Sequence, residues 1–407
     1  MDSLIREELP EIVNSGAFGK NLKYVSFDIN EDYVVQNQYK STVLFGTVNT
    51  SDDSKFNVVI KLKLRDETQC LKHKIHFHFN NEIIMYENII PFLFESHRSL
   101  NGIEDWPSLC RFFYGRNKCG KFFDRDLIIL ENVDYQGFRP SKERPLVDYD
   151  HVVSALRALA KFHGLSYTAK HKDLDKLQKV IMNLRETQFD EDGHWIFKKD
   201  AFRRFGKRGI DRLLERNGDL YRDNEHLRRF NKIIDNVDIS LKRVFEPQEP
   251  FSVVCHGDFN VNNVLFRYDK TGLPIDVLLF DFGTPRYGSP ALDISFLLYM
   301  NTTQDLREKH WDDLLNEYCL TLAKSVPSGV RVPNRIEMDS EIARCAFYGF
   351  ANASFFLPHQ LELNVIYDED MTEEETIQWL LKLGGDIGTE RVADMVQHIV
   401  DMKYTNV

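Results

Sequence analysis

The sequence predicts an α+β chain of two unequal parts, a small β-rich N-terminal part (residues 1–134) and a larger, mostly helical C-terminal part (residues 135–407). Three observations predict it. Strand signals dominate before about residue 135 and helical periodicity dominates after it, while one return to short strands interrupts the helices between residues 251 and 282. The 407 residues, 43% hydrophobic and 28% charged, suffice for a large core spread over two or three domains.

In chain order, Tyr33 to Gln36, Thr42 to Asn49, Phe56 to Leu64 and Asp126 to Val133 are β-branched or aromatic runs bounded by polar turn residues, the pattern of a small antiparallel sheet. Between the last two runs, Phe79, Ile83, Tyr86 and Ile90 share one helical stripe, so one helix is expected on that sheet. Val152, Leu156, Leu159 and Ala160 then repeat at helical spacing, and residues 170–245 read as charged, helical surface. Phe251 to Cys255, Val264 to Phe266 and Ile275 to Phe280 read as strands, the last two joined by a turn over Tyr268 to Gly272; the remainder to Val407 reads as helical.

Lys and Arg total 52 against 63 Asp and Glu, a formal charge of −11, which argues against a nucleic-acid partner. No apolar stretch approaches the ~20 residues that span a bilayer, and the acidic start, Met1 to Pro10, lacks an apolar signal core. Six scattered cysteines without C-x-x-C spacing read as free thiols in a reducing compartment, so a cytoplasmic protein with no membrane span is expected. The sequence does not specify an oligomeric state.

The chemistry concentrates in His256-Gly-Asp258, followed after four intervening residues by Asn263 and, beyond the hairpin, by Asp281-Phe-Gly283. Each residue alone reads as a turn former. Together, on strand ends of one hairpin, they fit phosphoryl transfer: Asp258 as the base for an acceptor hydroxyl, Asn263 and Asp281 as ligands of Mg²⁺ on the phosphates of ATP. Val58-Val-Ile-Lys61 places a lysine in an apolar strand, with Lys63 on the same face as its rival for the phosphates. Glu82 lies on the apolar stripe of the following helix, where a lone carboxylate is costly, so a Lys61–Glu82 ion pair is expected.

These residues, with Phe79-Asn-Asn-Glu82, Leu130-Glu-Asn-Val133, Gly137-Phe138, Leu159-Ala-Lys-Phe-His163 and Ser289-Pro290-x-x-Asp293, resemble the ecdysteroid kinase-like (CHK kinase-like) family over roughly residues 30–360. That family belongs to the aminoglycoside phosphotransferase and choline kinase group. The resemblance implies a bilobal protein-kinase-like fold and transfer of phosphate from ATP to a hydroxyl of a small, often apolar molecule such as a steroid. It implies Asp258 as base, Asn263 and Asp281 on Mg²⁺, Lys61 on the phosphates, Glu82 positioning Lys61, His256 bracing the loop, and an adenine-carrying hinge near Glu131 to Val133.

Two departures stand out. The family more often has Asp-Phe-Gln where this chain has Asp281-Phe-Gly283, and the expected phosphate-covering loop, Gln36 to Ser41, has no glycine, which leaves loop shape or the Ser41 hydroxyl to approach the phosphates. A protein kinase is disfavoured: nine residues separate Gly283 from Asp293, too few for an activation segment, and no arginine follows His256. A catalytically silent ligand-binding protein is the alternative of another class, favoured only by the glycine-free loop. His73, His76 and His78 read as surface histidines, and Asp124-Arg-Asp126 as a polar turn. Tyr299, Phe347, Tyr348, Phe350, Phe355 and Phe356 are expected to wall an apolar acceptor cleft facing Asp258, with helix-core packing an equal reading of the runs Phe347 to Phe350 and Phe355 to Pro358.

Overall fold

The computed structural model describes residues 2–30, 36–37, 41–63, 67–100, 106–117, 125–196, 199–362 and 372–406. Its N-terminal strands are β1 (Tyr24–Ile29), β2 (Gln36–Asn37), β3 (Ser41–Thr50) and β4 (Lys55–Lys63), then β5 (Ser108–Leu109), β6 (Phe112–Arg116) and β7 (Leu127–Glu131). All but β5 form one antiparallel sheet in the order β1-β3-β4-β7-β6, with β2 on β3. Helix α1 (Asp2–Asn14) covers one face, where Ile5, Leu9 and Ile12 bury against Val58, Ile60, Leu62 and Ile129. Side chains alternate across a strand, so Lys61 and Lys63 point to the other face.

The sequence pattern does not reveal α1, β1 or β6. In β1 only Phe27 is buried, too little for a visible alternation, and the stripe of α1 is broken by acidic residues and Pro10. The open face of the sheet receives α3 (Ile75–Ile84), which is preceded by α2 (Glu67–Lys72) and followed by α4 (Ile90–Ser99), the last packed on the helix that begins at Tyr149. The single helix expected there is two, joined through a π-helical turn over Met85–Ile89. Pro91 has no N–H for the carbonyl one turn back and its ring crowds that carbonyl; one wider turn just before it relieves both problems.

The C-terminal part begins with α5 (Tyr149–Ile181), whose first turn is capped by Asp148 accepting from the His151 amide at 3.0 Å. It continues through α6 (Lys199–Tyr221), α7 (Glu225–Asp235) and α8 (Val237–Phe245). Residues 183–196 between α5 and α6 are not helical, a correction to the reading of 170–245 as helix throughout. Next come β8 (Val253–Cys255), β9 (Val264–Tyr268), β10 (Pro274–Leu279) and β11 (Arg286–Gly288). Strands β9 and β10 form the expected hairpin, β5 lies parallel on β10, and β11 pairs with β8. Helices α9 (Ala291–Asn301), α10 (Gln304–Lys324), α11 (Arg335–Leu361), α12 (Glu373–Lys382) and α13 (Gly385–Asp401) complete the chain. One continuous core runs from Ile75 and Phe79 through α5 and α9 to Tyr404. No described helix is long and apolar enough to cross a membrane.

A buried histidine in that core makes stability depend on pH. His398 Nδ1 and the Tyr299 hydroxyl share a hydrogen bond at 3.0 Å, the ring lies against Trp311, and burial, helped by the Arg307 charge, lowers the His398 pKa to about 3. The unfolded chain takes up this proton near pH 6.5 and the folded chain resists it, so the contribution of His398 is complete above pH 6.5 and declines as the pH falls toward 3. The expected slope is about 1 kcal/mol per pH unit. Urea midpoints measured from pH 7 to pH 4 should fall more steeply for the natural chain than for His398→Gln, which keeps an acceptor for Tyr299; parallel curves would refute the assignment.

Candidate active site

Lys61 emerges from β4 toward α3 and is buried. Its Nζ donates to Glu82 Oε1 at 2.7 Å and to Asp281 Oδ1 at 3.0 Å. Burial opposes its charge, but the carboxylates of Asp281 and Glu82 outweigh burial and raise its pKa above the usual lysine value. Burial pushes the Glu82 carboxyl up to about 7, with Lys61 pulling it down and the Asp281 charge pushing it further up. Lys63, two residues along the same face, is buried against Asp126 and donates to Asn117 Oδ1 at 3.1 Å. Of the two strand lysines, Lys61 is therefore the one that meets Glu82. Asp126 is an ion-pair partner rather than the polar turn residue expected, and Asp124 lies outside the described residues.

Asp281 follows β10 and has a left-handed backbone (φ +65°). Its side chain is 40% exposed, so the carboxylate that binds Lys61 also faces open space. The preceding residue ties it to the second half of the site. The Phe280 carbonyl accepts from His256 Nε2 at 2.8 Å, and the Phe280 amide donates to the Asn263 carbonyl at 3.2 Å. A carbonyl only accepts, so His256 carries its proton on Nε2; burial lowers its pKa and keeps the ring neutral, and Nδ1 has no partner among the described residues.

Asp258 and Asn263 are joined directly: Asn263 Nδ2 donates to the Asp258 carbonyl at 2.8 Å, which leaves the amide oxygen as the atom available to a cation. Asn260 Nδ2 donates to Asp258 Oδ1 at 2.9 Å and holds the carboxylate. Oxygen ligands on Asn263 and Asp281, with the half-exposed Asp281 carboxylate, suit a hard divalent cation such as Mg²⁺.

Beyond His256, sequence reasoning gave none of the groups that hold this loop that role. The buried Asp293 carboxylate, in the first turn of α9, accepts from the amides of His256 (2.7 Å) and Gly257 (2.9 Å) and from His163 Nε2 (3.1 Å), while His163 Nδ1 meets the Tyr318 hydroxyl at 2.7 Å. His163 and Asp293 belong to the quoted motifs, but only the fold brings them together. Tyr348 donates to the Gly257 carbonyl at 2.7 Å. Cys255 lies beside His163 and Asp293, but its thiol is directed at the Ser289 carbonyl (3.3 Å) and burial raises its pKa well above the usual thiol value. The cluster is thereby a hydrogen-bonded brace.

Several expected residues have other surroundings. Tyr299, Phe347, Tyr348 and Phe350 are at most 1% exposed and packed among helices, for example Phe230 against Phe350 at 4.9 Å. They do not wall an open cleft; Phe355 and Phe356 are half-buried. Along α9 and α11 nearly every face meets another helix, so an aromatic run there is core. The Glu131 side chain accepts from the Tyr135 hydroxyl and the Arg111 amide. Val133 is buried. Ser41 opens β3, buried, opposite Lys63, and no hydrogen bond joins it to Lys61 or Asp281 among the described residues. Residues 38–40 of the expected phosphate-covering loop lie outside the described residues. His78 is not a surface histidine but is buried beside Gly283.

An antiparallel sheet with a lysine–glutamate pair, beside a helical part carrying the Asp258 loop and Asp281, holds the residue set that a small-molecule phosphotransferase needs. The sequence pattern of the ecdysteroid kinase-like family matches residues 36–328, and the chain belongs to that family. No curated protein matches the chain. Among solved structures it is similar to a macrolide 2'-phosphotransferase type I (15% identity, 93% of this chain and 96% of that one, TM-score 0.37). It is similar also to the amicoumacin kinase hAmiN in complex with AMP-PNP, Ca²⁺ and Ami (12% identity, 92% and 90%, TM-score 0.43). A third is the apoenzyme of macrolide 2'-phosphotransferase MphH from Brachybacterium faecium (11% identity, 86% and 91%, TM-score 0.36).

Proposed function

We propose that this chain transfers the γ-phosphoryl group of Mg·ATP to a hydroxyl of a small molecule. The observation that carries the reading is the convergence on Lys61 of Glu82 and Asp281, with Asp281 tied through Phe280 to the loop of Asp258 and Asn263. Lys61, held charged by its two carboxylates, binds the ATP phosphates. Asn263 and Asp281 hold Mg²⁺, which when bound offsets charge on the phosphate oxygens. Asp258, its carboxylate steadied by Asn260, orients the acceptor hydroxyl and takes its proton as the new oxygen–phosphorus bond forms. The acceptor is an apolar alcohol of steroid type. Family membership supports that choice, and the buried aromatics do not.

The test is Mg·ATP consumption against a panel of hydroxylated steroids, phenols, glycosides and amino alcohols, with phosphorylated product identified by mass; preference for an amino alcohol or glycoside would refute the apolar acceptor. The metal assignment has its own test. Asp281→Ala leaves Lys61 paired with Glu82 but removes a charged oxygen ligand, so Mg-dependent ATP affinity should fall by about two orders of magnitude in calorimetry, the upper range for damage to a metal site's support. Unchanged Mg-dependence would move the metal elsewhere.

A further inference from the structure

We infer that Asn81 is the positioning residue that sets Glu82 against Lys61, by clamping α3 to the segment 185–189, which is anchored by its buried residues 187–189. The inference rests on the reading of Lys61 and Glu82 as the phosphate-binding pair and adds what holds that pair in place.

Asn81 is 0% exposed, and both ends of its amide are used. Its Oδ1 accepts from the Arg185 amide at 2.8 Å, and its Nδ2 donates to the Arg185 carbonyl at 2.9 Å and to the Gly283 carbonyl at 3.3 Å. One side chain thus joins three stretches that are far apart in sequence: α3, the connection between α5 and α6, and the residue two positions after Asp281. Neighbours on a helix point about 100° apart, so Asn81 faces the segment while Glu82 faces Lys61.

The segment is a fixed support. Thr187, Gln188 and Phe189 are buried, Trp195 Nε1 donates to Gln188 Oε1 at 3.3 Å, and the Phe189 ring meets Phe245 edge-on at 5.6 Å. It is tied to β11 by Arg286 and Glu186 at 3.2 Å, and to the start of α3 by Lys74, which donates to the Phe189 carbonyl. A rotation of α3 that withdraws Glu82 from Lys61 would break the Asn81 bonds and leave the fully buried Asn81 amide without the partners it now has. That penalty keeps the pair assembled by the chain's own segment, without an activating partner or modification.

The experiment is a double-mutant cycle read in Mg·ATP turnover and Mg·ATP affinity, with hydrogen exchange of residues 75–84 as the structural readout. Glu82→Gln is the reference. Asn81→Leu should reproduce its pattern, with turnover down by about 10²-fold, the scale of a misplacement near 1 Å, and a matching change in affinity. It should also speed exchange in α3, and the double variant should be no slower than Glu82→Gln alone, because Asn81 acts through Glu82. Asn81→Asp keeps an acceptor for the Arg185 amide but loses both donor bonds, so it should fall between the natural chain and Asn81→Leu, and it replaces Asn81→Leu in the cycle if that variant does not fold. Multiplying losses in the double variant, or full turnover in both Asn81 variants while Glu82→Gln is impaired, would overturn the inference and leave the reading of the site standing. A silent Glu82→Gln would overturn both.

Discussion

Asp258→Asn is expected to lower turnover by about 10³-fold while leaving Mg·ATP affinity within about threefold of the natural chain. The substitution preserves shape: an amide oxygen still accepts from Asn260 Nδ2, now 2.9 Å from the carboxylate, and the Asn263 bond goes to the Asp258 main chain, which the change does not touch. What disappears is a group able to take a proton. Because that proton comes from the acceptor hydroxyl, the loss belongs in turnover. Calorimetry with Mg·ATP and single-turnover measurement with the best acceptor of the panel separate the two quantities. A variant that keeps a tenth of the natural rate, with chemistry limiting, would remove Asp258 from the role of base, and a large loss of nucleotide affinity would make it a metal ligand instead.

The parts of this site that were legible in the sequence are those carried by local pattern. Val58-Val-Ile-Lys61 is an apolar strand in which a lysine stands out, and Glu82 stands out because a carboxylate on an apolar stripe needs a cation. The choice between Lys61 and Lys63 was not legible, because the two share a face and differ only in which acid each meets, Glu82 or Asp126. The supports of the loop were hidden for a related reason. Asn81, Asp293 and Tyr348 act on backbone groups 104, 36 and 91 residues away, and no spacing rule spans such separations. The aromatics of α9 and α11 misled because a buried helix and a pocket wall draw on the same residue types. The connection 183–196 was masked by the charged composition it shares with the helices on either side.

Gly257→Ala should be the most damaging glycine-to-alanine change among the described residues. Gly257 has φ +83°, a conformation that costs an L side chain about 1–2 kcal/mol. A Cβ there would lie 1.8 Å from the Thr284 carbonyl oxygen and 2.6 Å from its carbon, so backbone must move. Neither side yields easily, since the Gly257 amide is held by Asp293 and its carbonyl by Tyr348, while Thr284 lies three residues after Asp281. Overpacking adds about 1–3 kcal/mol, for an expected total of roughly 3 kcal/mol or more in urea unfolding. Any folded fraction should lose turnover on the scale of Asp258→Asn, because relieving the clash separates the Asp258 loop from the Asp281 strand end. Gly272→Ala is the matched control: φ is +90° and nothing lies within 4 Å of the added carbon, so it carries only the backbone cost, about 1 kcal/mol, with turnover unchanged. If the two variants prove equally stable and equally active, the Thr284 carbonyl gives way freely and the close approach of the two loops is not what holds the site together.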